Sequence, residues 1–314
     1  AYFHNFYPLI SPIAYKICRD HGVKIVQRLS SYRFICPKMS LFRNGRICFE
    51  CADKFFFYPS VFYRCYQNSY LGSIIFALAF FLHKYYFKFF NLIDYYIFPS
   101  KFTQNIYKKY SWVNDYNSTI IPSFILLEKL KKEINDAKKK KFFLFVGRFS
   151  EEKGILPLLE IFKNNRKIKL IAIGDGPLMK VVLKYSQYPN IKIIKFLERK
   201  KVLTYMSKSL YTIIPSQHFD VLPNVLIESF ALKTGVIVPN YGVFPSLIKN
   251  GINGFLYDSF THLKNILINN FDKKKAYSIG LKAQSIFIEK YTAEDHYRTI
   301  INLFKKLLNG KDNS

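Results

Sequence analysis

From Phe142 onward, short apolar runs alternate with segments whose apolar residues recur every three or four positions. That is the pattern of parallel strands joined by crossover helices. The runs predict strands over Phe142–Val146, Lys169–Ile173, Ile191–Phe196, Tyr211–Ile214, Val236–Val238 and Gly254–Tyr257. Between them Leu156, Leu159, Ile161 and Phe162, then Val225, Leu226, Phe230 and Leu232, mark helix faces. A doubly wound α/β sheet is the expected outcome.

A thinner alternation precedes Phe142. Ala1–His4, Val23–Val26 and Tyr95–Phe98 read as strands, and Pro12–Arg19, Gly72–Phe90 and Phe102–Tyr110 as helices. The chain therefore divides into a first Rossmann-like domain over 1–126, a polar, poorly periodic linker over 127–141, and a second Rossmann-like domain over 142–290. A final stretch over 291–314 holds a helix near Thr292–Leu308, with Tyr297, Ile300, Ile301, Phe304 and Leu308 at helical spacing, expected to pack on the first domain. Residue 1 opens inside a strand, so the chain is expected to be a fragment with an incomplete first domain.

Composition narrows the class. The 314 residues are 50% hydrophobic and 22% charged, with 32 Phe, 24 Tyr, 13 Gly and 13 Pro. Disorder, collagen-like repeats and a disulfide-dependent mini-protein are excluded. The formal charge is +27, from 48 Lys and Arg against 21 Asp and Glu. Residues 1–141 hold 22 of the basic and 8 of the acidic side chains, so the excess is spread along the chain. Such a surface attracts anions: acidic lipid headgroups or phosphorylated small molecules. An even spread without a nucleic-acid-binding motif argues against nucleic acid as partner. The longest apolar run, Leu71–Leu82, is shorter than the roughly 20 residues of a spanning helix.

Three motifs fall at the carboxyl ends of predicted strands, where open α/β sheets bind ligands. In Val146-Gly147-Arg148-Phe149-Ser150-Glu151-Glu152-Lys153-Gly154 the strand exits through Gly147 and a helix is expected from near Ser150. Arg148 and Lys153 can then converge on one anion, and a guanidinium fork with an ammonium suits a diphosphate. In Ile173-Gly174-Asp175-Gly176-Pro177 the glycines permit close approach of the backbone to a ligand. In Asp220-Val221-Leu222-Pro223-Asn224-Val225-Leu226-Ile227-Glu228, Pro223 can open a helix with Glu228 about one and a half turns inside and Asp220 on the preceding loop. Two carboxylates so spaced can bracket a sugar nucleotide. His218, beside Phe219 and Asp220, is either a further donor-side group or plain surface.

In this order and spacing the three motifs resemble the C-terminal domain of the family 4 retaining glycosyltransferases, which have the GT-B fold. The resemblance runs from about Phe142 to Asp258 and includes Asn250-Gly251-Ile252-Asn253-Gly254-Phe255-Leu256. It implies that Arg148 and Lys153 bind the donor pyrophosphate and that Glu228 holds the ribose. Asp220 stands where the family has the first Glu of a Glu-x7-Glu motif. Gly147, Gly174, Gly176, Leu222, Pro223 and Asn224 complete the implied donor site, with Arg148, Lys153, Asp220 and Glu228 as its catalytic set.

The segments His4-Asn5 to Ser11-Pro12, Tyr32-Arg33-Phe34-Ile35-Cys36-Pro37 and Leu41 to Cys51 are similar to the acceptor-side domain of members acting on bacterial surface polysaccharides. The implied activity is transfer of a hexose, with retention, from a nucleotide-sugar donor to a saccharide or lipid-linked saccharide acceptor. The implied setting is the cytoplasm, at the inner face of the cell membrane, and transfer itself needs no cofactor. The alternative is a GT-B protein that binds a nucleotide sugar without transferring it, since Ser30, Val243 and Ser246 depart from the family pattern and Lys233 stands where a Gly is expected.

Five cysteines remain. Cys36, Cys48, Cys51 and Cys65 contain one C-x2-C step, a common zinc half-site, and read either as structural zinc ligands or as packed thiols. The apolar stretch Gly72–Phe90, with Lys84 and Lys88 near its end, suits either a helix lying in an anionic membrane interface or a buried crossover helix.

Overall fold

The computed structural model describes residues 1–4, 11–126 and 138–309. It forms two units, Ala1–Pro122 with Tyr297–Ser314, and Ser123–His296.

In the first unit the strands are β1 (Tyr2–His4), β2 (Val26–Arg28), β3 (Phe42–Arg43), β4 (Arg46–Ile47), β5 (Tyr95–Phe98) and β6 (Ser118–Ile120), and the helices are α1 (Ile13–Asp20), α2 (Tyr58–Phe62), α3 (Tyr70–Phe81) and α4 (Lys101–Tyr110). The sheet has the order β1-β2-β5-β6, all parallel, and β3–β4 is a separate antiparallel hairpin. Ser69 and Ser100 start α3 and α4 by accepting from the amides of Gly72 and Thr103. Strand β2 lies later than the Val23–Val26 run. Its polar residues are buried by pairing: Tyr15 Oη donates to Gln27 Oε1 at 2.6 Å, and an Arg28 guanidinium nitrogen donates to the Ile121 carbonyl at 2.9 Å. The expected single helix Gly72–Phe90 is instead α3, a π-turn over Leu82–Tyr86, a left-handed Lys88 (φ 52°) and a 3-10 turn over Phe89–Leu92.

In the second unit the strands are β7 (Phe143–Val146), β8 (Leu170–Ile173), β9 (Ile191–Ile194), β10 (Tyr211–Ile213), β11 (Gly235–Pro239) and β12 (Gly254–Tyr257). The helices are α5 (Ile155–Lys163), α6 (Met179–Leu183), α7 (Arg199–Lys208), α8 (Asn224–Ala231), α9 (Phe260–Asn269) and α10 (Lys273–Lys290). The six strands are parallel in the order β12-β11-β10-β7-β8-β9. Phe143, Leu144, Tyr211, Val236 and Ile237 are completely buried, as befits strands covered on both faces by helices. The last helix, α11 (Ala293–Asn309), sets Ile300, Leu303, Phe304 and Leu307 against Val26, Ile97 and Ile121 of the first sheet. Of the linker, residues 127–137 lie outside the described residues, and 138–141 contain neither helix nor strand.

Strand order reverses between β7 and β10, the two central strands of the second unit. Outside the carboxyl ends of two strands at such a reversal is the place where doubly wound sheets have their ligand-binding crevice. The first sheet, by contrast, runs in one direction among the described residues.

Candidate functional site

Two loops frame this crevice. The first leaves β7 through Gly147 and Arg148, is anchored by the fully buried Phe149, and turns through a 3-10 segment over Glu151–Lys153 into a left-handed Gly154 (φ 66°) before α5. The helix thus begins at Ile155, later than Ser150. The anchoring is explicit. The Phe149 amide donates to the Asp175 carbonyl at 2.8 Å, and its carbonyl accepts from the Leu178 amide at 2.9 Å. Arg148, held between fixed neighbours, is exposed.

The glycines of the second motif also have a packing role. A Cβ on Gly174 would stand 1.9 Å from the Gly147 carbonyl oxygen, and one on Gly176 would stand 2.5 Å from that of Phe149. Their bareness lets two βα loops pack on each other. Gly154 does the same for the loop after β10, because a Cβ there would meet the Pro215 carbonyl oxygen at 1.9 Å. The Gln217 amide also donates to the Glu152 carbonyl at 2.8 Å. The turn carrying Lys153 is therefore pinned to the loop carrying His218 and Asp220.

Lys153 Nζ donates to Asp220 Oδ1 at 2.7 Å and lies 3.0 Å from His218 Nε2, which is itself 3.2 Å from Asp220 Oδ1. The Asp220 side chain is only 8% exposed and that of His218 11%, while Lys153 retains 29%. Burial alone would raise the Asp220 carboxyl, but the Lys153 charge and the His218 contact outweigh it and hold the group well below the usual carboxylate range. Among the described residues Asp220 Oδ2 and His218 Nδ1 are buried without a hydrogen-bond partner, an uncommon state for such atoms in a finished interior. Tyr241, following β11, closes the far side: its hydroxyl donates to the Ser216 carbonyl, and burial together with the Asp220 charge pushes it up to about 12.

Glu228 faces a different partner. It lies in α8, 12% exposed, and accepts from an Arg199 guanidinium nitrogen at 2.6 Å, with Arg199 standing largely in solvent at the start of α7. Burial raises the Glu228 carboxyl and Arg199 only partly offsets it. Pro223 is the residue before α8, in extended backbone, and no side chain caps the helix. Of the expected donor set, then, Lys153 and Asp220 are brought into contact, Glu228 is engaged by Arg199, and the Arg148 guanidinium makes no hydrogen bond or ion pair among the described residues. Arg199 was invisible to motif reading. His218 had a local signal, since residues two apart on an extended loop share a side.

Val243 and Ser246 do not intrude. Val243 has ordinary helical backbone (φ −75°) and is fully buried, and the Ser246 hydroxyl donates to its carbonyl at 2.6 Å. All five cysteines are free. Cys36, Cys48, Cys51 and Cys65 lie within electrostatic reach of one another, and burial, with smaller contributions from the neighbouring thiols, pushes Cys36 up to about 11. Among the described residues, however, no three His, Cys, Asp or Glu side chains are arranged to hold a metal ion.

The fold is that of the GT-B glycosyltransferases. HepE of Anabaena, in a crystal structure with UDP and glucose, superposes with a TM-score of 0.66 over 93% of this chain and 74% of its own, at 14% identity. Sucrose-phosphate synthase from Thermosynechococcus elongatus superposes with a TM-score of 0.67 over 95% and 71%, also at 14% identity. Within that fold, residues 128–277 match the family model of glycosyl transferases group 1, which covers the crevice and its loops. In sequence, 200 residues are 26% identical to the lipopolysaccharide 1,2-N-acetylglucosaminetransferase of Salmonella typhimurium, 54% of this chain and 49% of that protein. The chain thus spans about half the length of this relative.

Proposed function

We propose that the second unit binds the diphosphate of a nucleotide sugar in the crevice between the β7 and β10 loops, and that the protein transfers the sugar, a hexose, to a saccharide acceptor with retention of configuration. The observation that carries this reading is the Lys153–His218–Asp220 cluster at the point of strand reversal, with an unengaged Arg148 on the same loop as Lys153.

The chemistry follows from charge. Transfer breaks the bond between the sugar's anomeric carbon and the diphosphate, so negative charge grows on the leaving oxygens. Arg148 offers a guanidinium fork and Lys153 a point charge to that oxygen cluster, and groups already in place stabilise developing charge without reorganising. Asp220 fixes the Lys153 ammonium in a defined position, and its unpartnered Oδ2 can accept from a sugar hydroxyl. Glu228, kept in place by Arg199, is the group we assign to the ribose hydroxyls. The acceptor hydroxyl bonds to the anomeric carbon and gives its proton to the departing diphosphate. In this reading Arg148 and Lys153 are the cations assigned to the leaving diphosphate.

A uridine nucleotide is the first donor to try, because the HepE structure holds UDP and glucose. A lipid-linked saccharide of bacterial surface polysaccharide synthesis is the proposed acceptor, by likeness to the lipopolysaccharide enzyme. Release of the nucleoside diphosphate in the presence of extracted lipid-linked saccharides tests the activity. Its absence with every donor that binds would leave a binder and not a transferase.

A further inference from the structure

Helix α3 presents two apolar faces. One packs inward: Phe76 and Phe80 are buried, with ring contacts to Tyr66 at 4.8 Å and to Phe57 at 4.7 Å. The other does not. Leu71, Ile74, Ile75 and Leu78, at helical spacing, are between 44% and 67% exposed. Apolar positions that repeat on the solvent side of a helix mark a surface made to be covered.

Charge identifies the cover. Between Asp53 and Asp94 the chain has four basic residues, Lys54, Arg64, Lys84 and Lys88, of which Lys54 pairs with Asp53 at 3.7 Å, so Arg64, Lys84 and Lys88 carry the local excess. They bracket the stripe. At its amino-terminal end an Arg64 nitrogen donates to Tyr70 Oη at 3.2 Å with the guanidinium over that ring, and beyond its carboxyl end Lys88 is exposed. Lys84, half-buried, turns its ammonium instead to the Tyr85 and Trp112 rings, 4.9 Å from each centre. A second copy of the chain seated on this face would bring these like charges together on a protein of formal charge +27. Nor can α3 cross a bilayer: at about 1.5 Å per residue its length falls well short of the ~30 Å hydrocarbon core, and no helix among the described residues is long and apolar enough to do so.

We infer that this face is a docking surface for an anionic lipid bilayer, with α3 lying in the headgroup region, its apolar stripe down and Arg64 and Lys88 on the lipid phosphates. The inference stands apart from sugar transfer, because it concerns the first unit and needs no donor.

Vesicle cosedimentation without nucleotide tests it. The chain should bind phosphatidylglycerol–phosphatidylethanolamine vesicles at least about tenfold more tightly than phosphatidylcholine vesicles, and less tightly at 0.5 M salt, as expected for a polybasic contact. Leu71→Glu with Ile75→Glu, and separately Arg64→Glu with Lys88→Glu, should each lower the affinity by about tenfold or more. All four residues are exposed, so circular dichroism should remain that of the parent. Equal binding to both vesicle types, unchanged binding by either double variant, or a self-association by light scattering that Leu71→Glu with Ile75→Glu abolishes while vesicle binding is unaltered, would overturn the inference.

Discussion

Lys153 Nζ and Asp220 Oδ1 stand 2.7 Å apart, although 66 residues separate them in the chain and they hang from different strands. The contact holds a buried carboxylate in its charged form and draws together the loops after β7 and β10. Around it the chain has arranged one more nitrogen, on His218, and an unused carboxylate oxygen.

Asp220→Asn should destabilise the fold by ~1–3 kcal/mol at neutral pH, because it leaves the Lys153 ammonium facing a neutral amide. The folded-state pKa lies below the unfolded value, so the contribution of Asp220 is present above the ordinary carboxylate range and is lost as pH falls through the folded value. Melting temperatures of parent and variant should therefore differ by a constant amount from pH 5 to 8, and the gap should begin to close as pH falls below about 4. A gap that widens on acidification would contradict the pairing.

Lys139 titrates in the opposite sense. Its ammonium is buried and donates to Thr234 Oγ1 at 2.7 Å, and burial lowers it to about 7. Below the unfolded value of ~10.4 the unfolded chain binds the proton more readily, so stability rises with pH between about 7 and 10. Lys139→Met should raise the melting temperature, most at pH 6–7, with the gain shrinking toward pH 10. A pH-independent difference would show that Lys139 stays charged when folded.

Lys233 occupies left-handed backbone (φ 55°) at the end of α8, a conformation costing a non-glycine residue roughly 1–2 kcal/mol. Lys233→Gly should accordingly raise stability by ~0.5–1 kcal/mol in urea unfolding, after allowing for the looser unfolded chain. Gly280→Ala should do the reverse, because its Cβ would stand 2.0 Å from the Lys233 carbonyl oxygen.

The four neighbouring thiols of the first unit are packed, not convergent, and elemental analysis of the purified chain should find zinc well below one atom per molecule. One zinc per chain, released when the thiols are modified, would mean that Cys36, Cys48, Cys51 and Cys65 close on an ion.

The second sheet was legible because strands buried on both sides leave unbroken apolar runs. Gly254–Tyr257 matches end for end, and Phe142–Val146 differs from β7 by one residue. Strand β6 was not legible: Ser118-Thr119-Ile120 is three residues long and has one buried member. Strand β2 was displaced because Gln27 and Arg28 are core residues satisfied by hydrogen bonds, which a hydrophobic pattern cannot register. Gly72–Phe90 read as one helix because its apolar content is continuous. What divides it is the left-handed Lys88, and its outward stripe mimics a core-facing one. In the site, the motifs located Lys153 and Asp220 singly. Their contact, and the pairing of Glu228 with Arg199, join residues 67 and 29 apart in number, a relation that only folding creates.

Calorimetric titration with UDP and with UDP-sugars, comparing the parent chain with Arg148→Ala and Lys153→Ala, probes the proposed crevice most directly. Saturable binding by the parent, weakened about tenfold or more in each variant while melting remains cooperative, is the predicted result. Binding of equal strength in all three proteins would place the nucleotide elsewhere and contradict the proposed site.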